Sequence, residues 1–191
     1  MTTPLGPAWL TARSVTGGLL LAATTLVLVG ILMYTYRVFL HAPAGARSGY
    51  FQWERGLILS GFLVLALGLA GLNRLLQQAG DPLLAPVGLI AYVMGAVLLT
   101  LVEVSWLTAA GLPGGLTGAL TRLSIVLSFV GQAAFGAALL TTGLLPGWLS
   151  WTTVIWNLAW LVVMLGARDP YYPFMHLQLP LLAGIWLLAN R

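Results

Sequence analysis

The chain has 191 residues, of which 60% are hydrophobic and only 6% are charged. Since about a quarter of the residues of a typical soluble domain are charged, this composition excludes a soluble globular protein. The formal net charge of +4 comes from arginines that are scattered along the chain, which argues against a nucleic-acid-binding surface. Cysteine is absent, so disulfides, thiolate metal sites and a cysteine nucleophile are excluded.

A membrane-spanning helix needs about 20 apolar residues, and six stretches of roughly this length use nearly the whole chain. The sequence therefore predicts an all-α fold, a single transmembrane domain over residues 1–191 that crosses the membrane as six helices. The predicted helices cover residues 15–40, 53–77, 82–109, 117–142, 148–166 and 171–189. The stretch from Ser14 to Tyr36 is uncharged and longer than the core of a signal peptide, so we expect the first helix to be a retained span.

Short joints separate these helices. At 80–82 the sequence Gly-Asp-Pro places a glycine at a helix end, an aspartate where it can cap the next helix, and a proline in that helix's first turn. The segments 111–115 and 143–147, rich in glycine and proline, interrupt the chain again, and residues 168–170 form the last joint. Pro180 has no backbone N–H to donate, so we expect it to bend the sixth helix.

Six crossings place both termini on one side of the membrane and the loops 1–2, 3–4 and 5–6 on the other side, called side B here. Side B receives five arginines and the terminal side three: Arg37, Arg47, Arg55, Arg122 and Arg168 against Arg13, Arg74 and Arg191. Basic residues are enriched on the cytoplasmic side of membrane proteins. The arginine distribution therefore favours a cytoplasmic side B.

Two ionisable residues fall inside predicted spans, where charged groups are costly and often functional. Glu103 and His176 both lie roughly 10 Å from side B, at a rise of 1.5 Å per residue, so we expect them at similar depth. A carboxyl and an imidazole placed together can perform general acid–base catalysis on a lipophilic substrate, and their residue types resemble those of integral-membrane isomerases and terpene cyclases. The alternative is structural, with Glu103 paired to an arginine such as Arg122.

Further polar residues suggest a pocket that opens towards side B. Gln132 and Asn157 lie roughly 15 Å from side B by the same rise, near the midplane, and we predict that they bind a ligand. Glu54 and Arg122 are predicted to lie at the mouth of this pocket. The small and polar residues from Thr117 to Gly136 recur on one face of the fourth helix, which indicates either a pocket wall or close helix packing.

Cofactor and partner classes remain open at this stage. His41 and His176 could be the axial ligands of a haem, but His41 lies close to the interface and no four-histidine pattern is present. Glu54, Glu103 and His176 are suitable ligand types for a non-haem metal, but their spacing supports no metal site. We expect membrane lipids and a lipophilic small molecule as partners and no nucleic acid. A structural subunit of a larger membrane assembly, or of a homo-oligomer, is the alternative.

Residues 53–55, 80–95, 143–157 and 169–173, together with His176, resemble a family of uncharacterised bacterial multi-span membrane proteins. The resemblance covers nearly the whole chain, and its motifs are mostly helix joints and tryptophan positions. It implies a six-helix topology and a multi-pass location in the bacterial inner (cytoplasmic) membrane. It implies no activity and no functional residue.

Overall fold

The computed structural model describes residues 7–39, 49–108, 111–166 and 173–190. In this part of the chain the secondary structure is helical, without strands, which confirms the predicted all-α class. The helices are α1 (Pro7–Phe39), α2 (Gly49–Gln78), α3 (Leu84–Leu107), α4 (Gly114–Thr142), α5 (Gly147–Gly166) and α6 (Gln178–Ala189), with a 3₁₀ segment at Pro173–Leu177 directly before α6. Each predicted helix therefore has a counterpart.

Helices α1 to α5 are each long and apolar enough to cross a membrane. The shortest of them, α5, has 20 residues and so spans about 30 Å, which matches the hydrocarbon thickness of a bilayer. Large apolar side chains such as Ile155, Val162 and Leu165 are more than half exposed on its outer surface, as lipid-facing residues are. The chain is therefore a multi-pass membrane protein.

The first helix begins earlier than predicted, at Pro7 instead of residue 15. The prediction used Arg13 as a boundary. Arginine is a good helix former, however, and the helix continues through Arg13 without a break. α1 consequently has 33 residues, more than a span requires.

The sixth helix differs from the predicted continuous helix over 171–189. The structure has five residues of 3₁₀ helix and then twelve residues of α-helix, and Pro180 lies in the first turn of α6. Proline is tolerated there because an N–H in the first turn has no intrahelical partner to lose. The structure shows a change of helix type before Pro180, and the expected bend at Pro180 stays a prediction. The two segments together would measure about 28 Å if they ran in line, so a sixth crossing stays a prediction.

The joint at 80–82 confirms the predicted cap by Asp81, but Pro82 does not lie in the first turn of α3 as predicted, because that helix begins at Leu84. Gly80 ends α2 with φ of +103°, a backbone conformation that favours glycine. Asp81 Oδ1 then accepts a hydrogen bond from Leu84 N at 3.2 Å and Oδ2 accepts one from Ala85 N at 2.6 Å. These bonds satisfy two of the free N–H groups at the start of α3.

The helices pack largely in chain order around the bundle. α1 lies between α2 and α6, α3 packs mainly on α4, and α4 packs on α5. At the α3–α4 contact, a Cβ added to Gly131 would lie 2.6 Å from the Gly88 carbonyl oxygen, and one added to Gly95 would lie 2.7 Å from the Ser124 carbonyl oxygen. A Cβ on Gly95 would also lie 2.7 Å from Ser128 Oγ. The predicted small-residue stripe of α4 is therefore, at Ser124 and Ser128, a surface for close helix packing.

Candidate functional site

Charged side chains connect the side-B ends of α1, α2 and α3. Glu54 is fully buried and accepts two hydrogen bonds from Arg37, from Nε to Oε2 at 2.6 Å and from Nη2 to Oε1 at 2.9 Å. Arg55 Nε lies 3.4 Å from Glu54 Oε1, and Arg55 Nη1 donates to Glu103 Oε1 at 3.1 Å. Arg37, Glu54, Arg55 and Glu103 thus form one continuous row, called the charged ladder below.

An aromatic ring supports both arginines of the charged ladder. The Phe51 ring centroid lies 5.4 Å from the guanidinium carbon of Arg37 and 5.3 Å from that of Arg55. The Tyr34 centroid lies 5.3 Å from Arg37, and contacts of this kind attract a cation to the ring face. The ladder contains two arginines and two glutamates, so its charges balance. Each buried carboxylate therefore has an arginine partner, which offsets the cost of burying its charge.

Glu103 has the arginine partner that the structural alternative expected, but this arginine is Arg55 and not Arg122. Glu103 bonds to Arg55, whereas Arg122 is exposed and lines a small pocket with Ile125 and Met164. On α4, Ser124 packs against α3, and Arg122 lies about 200° around the helix from it, at 100° per residue. Arg122 therefore points away from α3. Glu54, predicted at the mouth of a pocket, belongs to the charged ladder, and its place at a pocket mouth stays a prediction.

His176 is held in the interior by α4 and α2. Its Nδ1 lies 3.3 Å from Gln132 Nε2, its ring stacks on Phe129 with centroids 4.7 Å apart, and it forms a T-shaped contact with the Phe62 ring, with centroids 5.2 Å apart. Phe62 follows Arg55, the partner of Glu103, by seven residues, or about 10 Å along α2. Glu103 thus bonds to Arg55, and His176 contacts Gln132, Phe129 and Phe62. Their similar depth and their joint catalytic role stay predictions.

A second polar group is centred on Thr153, at the contact of α5 with α6. Asn157 Nδ2 donates to the Thr153 carbonyl oxygen at 2.8 Å, and Gln178 Nε2 donates to Thr153 Oγ1 at 3.2 Å. Thr153 and Asn157 are fully buried, and Gln178 is partly buried. Thr153, Asn157 and Gln178 are called the amide cluster below.

The hydrogen bonds fix which way both amides of the cluster point. A backbone carbonyl only accepts, so the Asn157 atom that faces the Thr153 carbonyl must be the NH₂ group. The Thr153 hydroxyl donates its single proton to the Leu149 carbonyl at 2.9 Å, so it must accept from Gln178. Asn157 Oδ1 and Gln178 Oε1 are therefore the remaining acceptors, and both are buried without a hydrogen-bond partner in the described part of the chain.

Gln132 shows the same feature beside His176. Its Oε1 is buried and has no hydrogen-bond partner among the described residues. An amide and a neutral imidazole can each donate or accept, so one amide atom of Gln132 is left over in either arrangement of this pair. Leaving a buried polar atom unpaired costs about 1–3 kcal/mol. The side-chain oxygen of Asn73 on α2 is also buried without a partner, so four amides among the described residues share this feature, and three of them lie in the amide cluster and the Gln132–His176 pair.

Two members of the amide cluster were missed by the sequence analysis. Thr153 and Gln178 were not selected, although Thr153 and Asn157 are four residues apart and hence share a face of α5. His176 and Gln178 are two residues apart and bond to different helices, α4 and α5. The direction of the Gln178 side chain could not be predicted from sequence, because it depends on the change from 3₁₀ helix to α-helix directly before α6.

The described residues contain no group of three His, Asp or Glu side chains that could hold a metal ion. His41, the second predicted haem ligand, lies outside the described residues. Comparison with protein-family models, with curated proteins and with solved structures finds no match. The functional argument therefore depends on the charged ladder, the amide cluster and the Gln132–His176 pair of this chain.

Proposed function

We propose that this protein binds a lipophilic small molecule inside the helix bundle, at the amide cluster and the neighbouring Gln132–His176 pair. The observation that carries the proposal is the unpaired oxygen of Asn157, a residue that is fully buried. Buried polar atoms in folded proteins nearly always have a partner, and each exception calls for an explanation such as backbone strain, a bound water, ion or ligand, or a catalytic role. Polar side chains inside membrane spans commonly mark binding sites as well.

The depth of the amide cluster suits a ligand that comes from the lipid phase. Asn157 lies ten residues from the start of α5 and nine from its end, which is about 15 Å from either end. α5 packs mainly on α4 and much less on α6, and the boundary between α5 and α6 beside the cluster is called the seam here. Phe174, which is 42% exposed, meets Trp160 edge-on at 5.5 Å along this seam, and these rings offer apolar contacts to a hydrocarbon tail.

The charged ladder has a structural role in this proposal. Its carboxylates are paired with arginines, and the pairs connect three helices. Because Glu103 and His176 have separate partners, the proposal includes binding and does not include acid–base chemistry by these two residues. The resemblance to bacterial multi-span proteins and the arginine distribution support a location in the bacterial cytoplasmic membrane with side B facing the cytoplasm.

Native mass spectrometry combined with lipidomics on the purified protein tests the proposal. The informative variant is Asn157→Leu, and its matched control is Asn190→Leu. Asn190 donates from Nδ2 to the carbonyl four residues earlier, Trp186 O, at 3.1 Å, as Asn157 does to Thr153, but in an exposed position. We expect one specific molecule to accompany the wild type and Asn190→Leu and to fall at least about tenfold in Asn157→Leu, a loss equivalent to about 1.4 kcal/mol.

Two results would contradict this proposal. One is the absence of any specific molecule from the wild type, which would favour a structural subunit of a larger assembly. The other is a molecule that is retained equally by Asn157→Leu and Asn190→Leu, which would place binding elsewhere.

A further inference from the structure

We infer that the polar group of the ligand is a hydroxyl, so that the ligand is a lipophilic alcohol or phenol. This inference rests on the proposed function, because it concerns the same amide cluster. It follows from three properties of the site: the direction of its amides, the charges around it, and the hydrogen-bond donors and acceptors that are still unused.

The direction of the amides calls for a donor on the ligand. Asn157 Oδ1 and Gln178 Oε1 have no partner among the described residues, and the bonds to Thr153 hold both oxygens in place. A carboxylate, a phosphate or an ether oxygen has no proton to donate to them. An acidic headgroup would also bring negative charge against two partially negative oxygens. The site therefore selects against anionic lipids.

The surrounding charges disfavour a cation. A buried cation is stable only with a compensating charge close by. The described carboxylates are engaged elsewhere, since Glu54 and Glu103 belong to the charged ladder and Asp81 caps α3. No ion pair or hydrogen bond of the described residues brings a carboxylate to Thr153, Asn157 or Gln178. A neutral donor fits this environment better than an ammonium group or a metal ion.

The hydrogen-bond donors and acceptors that are still unused in the amide cluster match a hydroxyl. Each amide NH₂ has two protons, and one bond is present from Asn157 Nδ2 and one from Gln178 Nε2. A ligand hydroxyl can donate its proton to one amide oxygen and accept from the second N–H of a neighbouring amide. Alcohols and phenols meet both conditions without carrying charge, and their hydrocarbon part can occupy the seam between α5 and α6.

A pair of probes that differ only in the proton tests the inference. 4-Octylphenol and its methyl ether, 4-octylanisole, have the same ring and tail, but the ether cannot donate. Binding to wild-type protein in nanodiscs is measured by isothermal titration calorimetry. We expect 4-octylphenol to bind about tenfold more tightly, the ratio for one lost hydrogen bond of roughly 1.4 kcal/mol. This ratio should fall below about threefold in Asn157→Leu and in Gln178→Met, and it should be unchanged in Asn190→Leu.

Gln178→Met keeps the shape of the side chain and removes its oxygen, so it decides the matter if Asn157→Leu does not fold. Octylammonium and octanoate serve as cationic and anionic probes with the same tail. One result contradicts the hydroxyl but supports the site. In it, at least one of the other probes, 4-octylanisole, octylammonium or octanoate, binds at least as tightly as 4-octylphenol, and Asn157→Leu or Gln178→Met weakens that binding. The inferred hydroxyl is then wrong, and the proposed binding site still holds.

If no probe binds, the molecule found by mass spectrometry decides. A neutral molecule with a hydroxyl supports the inference, whereas one without a hydroxyl contradicts it. If no probe binds and no molecule accompanies the purified protein, the proposed function itself fails. These outcomes distinguish an error in the inferred class of ligand from an error in the proposal that the protein binds a ligand at all.

Discussion

Arg37 and Glu54 form a two-point ion pair, with nitrogen–oxygen distances of 2.6 and 2.9 Å, that joins the end of α1 to the start of α2. Glu54 is fully buried, and the Arg37 side chain is 12% exposed. Buried pairs of this kind stabilise little relative to apolar residues, but breaking one of them is costly because the other charge stays behind. The charged ladder therefore makes the fold sensitive to single substitutions at these positions.

Glu54→Gln should lower the free energy of unfolding by about 3 kcal/mol, because it leaves Arg37 without its carboxylate and removes one neighbour of Arg55. The double variant Arg37→Met/Glu54→Leu should lose clearly less, since both charges of the pair are gone. Unfolding in mixed detergent micelles, followed by circular dichroism, measures both values. Arg74→Met, at an exposed arginine, is the control. Equal stability of Glu54→Gln and Arg74→Met would rule out a structural role for the ladder.

Arg55→Met should destabilise the protein by about 2–4 kcal/mol, because Glu103 would lose its arginine inside the bundle. Arg122→Met should change stability by less than about 0.5 kcal/mol, as is usual at an exposed site. Adding Glu103→Gln to Arg55→Met should recover part of the loss, and a double-mutant cycle gives the coupling energy. A larger effect of Arg122→Met than of Arg55→Met would mean that Arg122 is the true partner.

Gly131→Ala should destabilise the α3–α4 contact by at least about 2 kcal/mol, since its Cβ would lie 2.6 Å from the Gly88 carbonyl oxygen and the backbones would have to separate. Gly118→Ala is the matched control within the same helix. Apart from the adjacent residues and backbone of α4 itself, no atom of the described residues lies within 4 Å of a Cβ added there, so helix propensity alone should stabilise the protein by about 0.5–1 kcal/mol. Thermal unfolding of the two variants should move in opposite directions, and shifts of the same sign would refute the close α3–α4 packing.

The sequence predicted much of the fold but little of the pairing. Six helices and the cap at Asp81 follow from local signals, namely apolar length and the chemistry of the joints. The partner of Glu103 does not, because Arg55 is 48 residues away in sequence and its selection over Arg122 depends on how α2 and α4 are rotated about their axes. Gln178 likewise acquires its direction from a change of helix type that composition does not reveal.

Asn157→Leu should leave the ligand-free protein about as stable as the wild type, within about 1 kcal/mol. The substitution loses the bond to the Thr153 carbonyl but also removes a buried oxygen that has no partner in the described structure, and the two effects have similar size. Unfolding of delipidated protein measures the difference. A loss of more than about 2 kcal/mol would make Asn157 a structural residue instead of a binding one.

The central claim is that the amide cluster holds a molecule, and native mass spectrometry of wild type, Asn157→Leu and Asn190→Leu purified in parallel tests it most directly. We predict one specific bound molecule in the wild type and Asn190→Leu that is at least about tenfold depleted in Asn157→Leu, as loss of about 1.4 kcal/mol of binding free energy implies. Identical spectra for the three proteins, with or without a bound molecule, would contradict the claim.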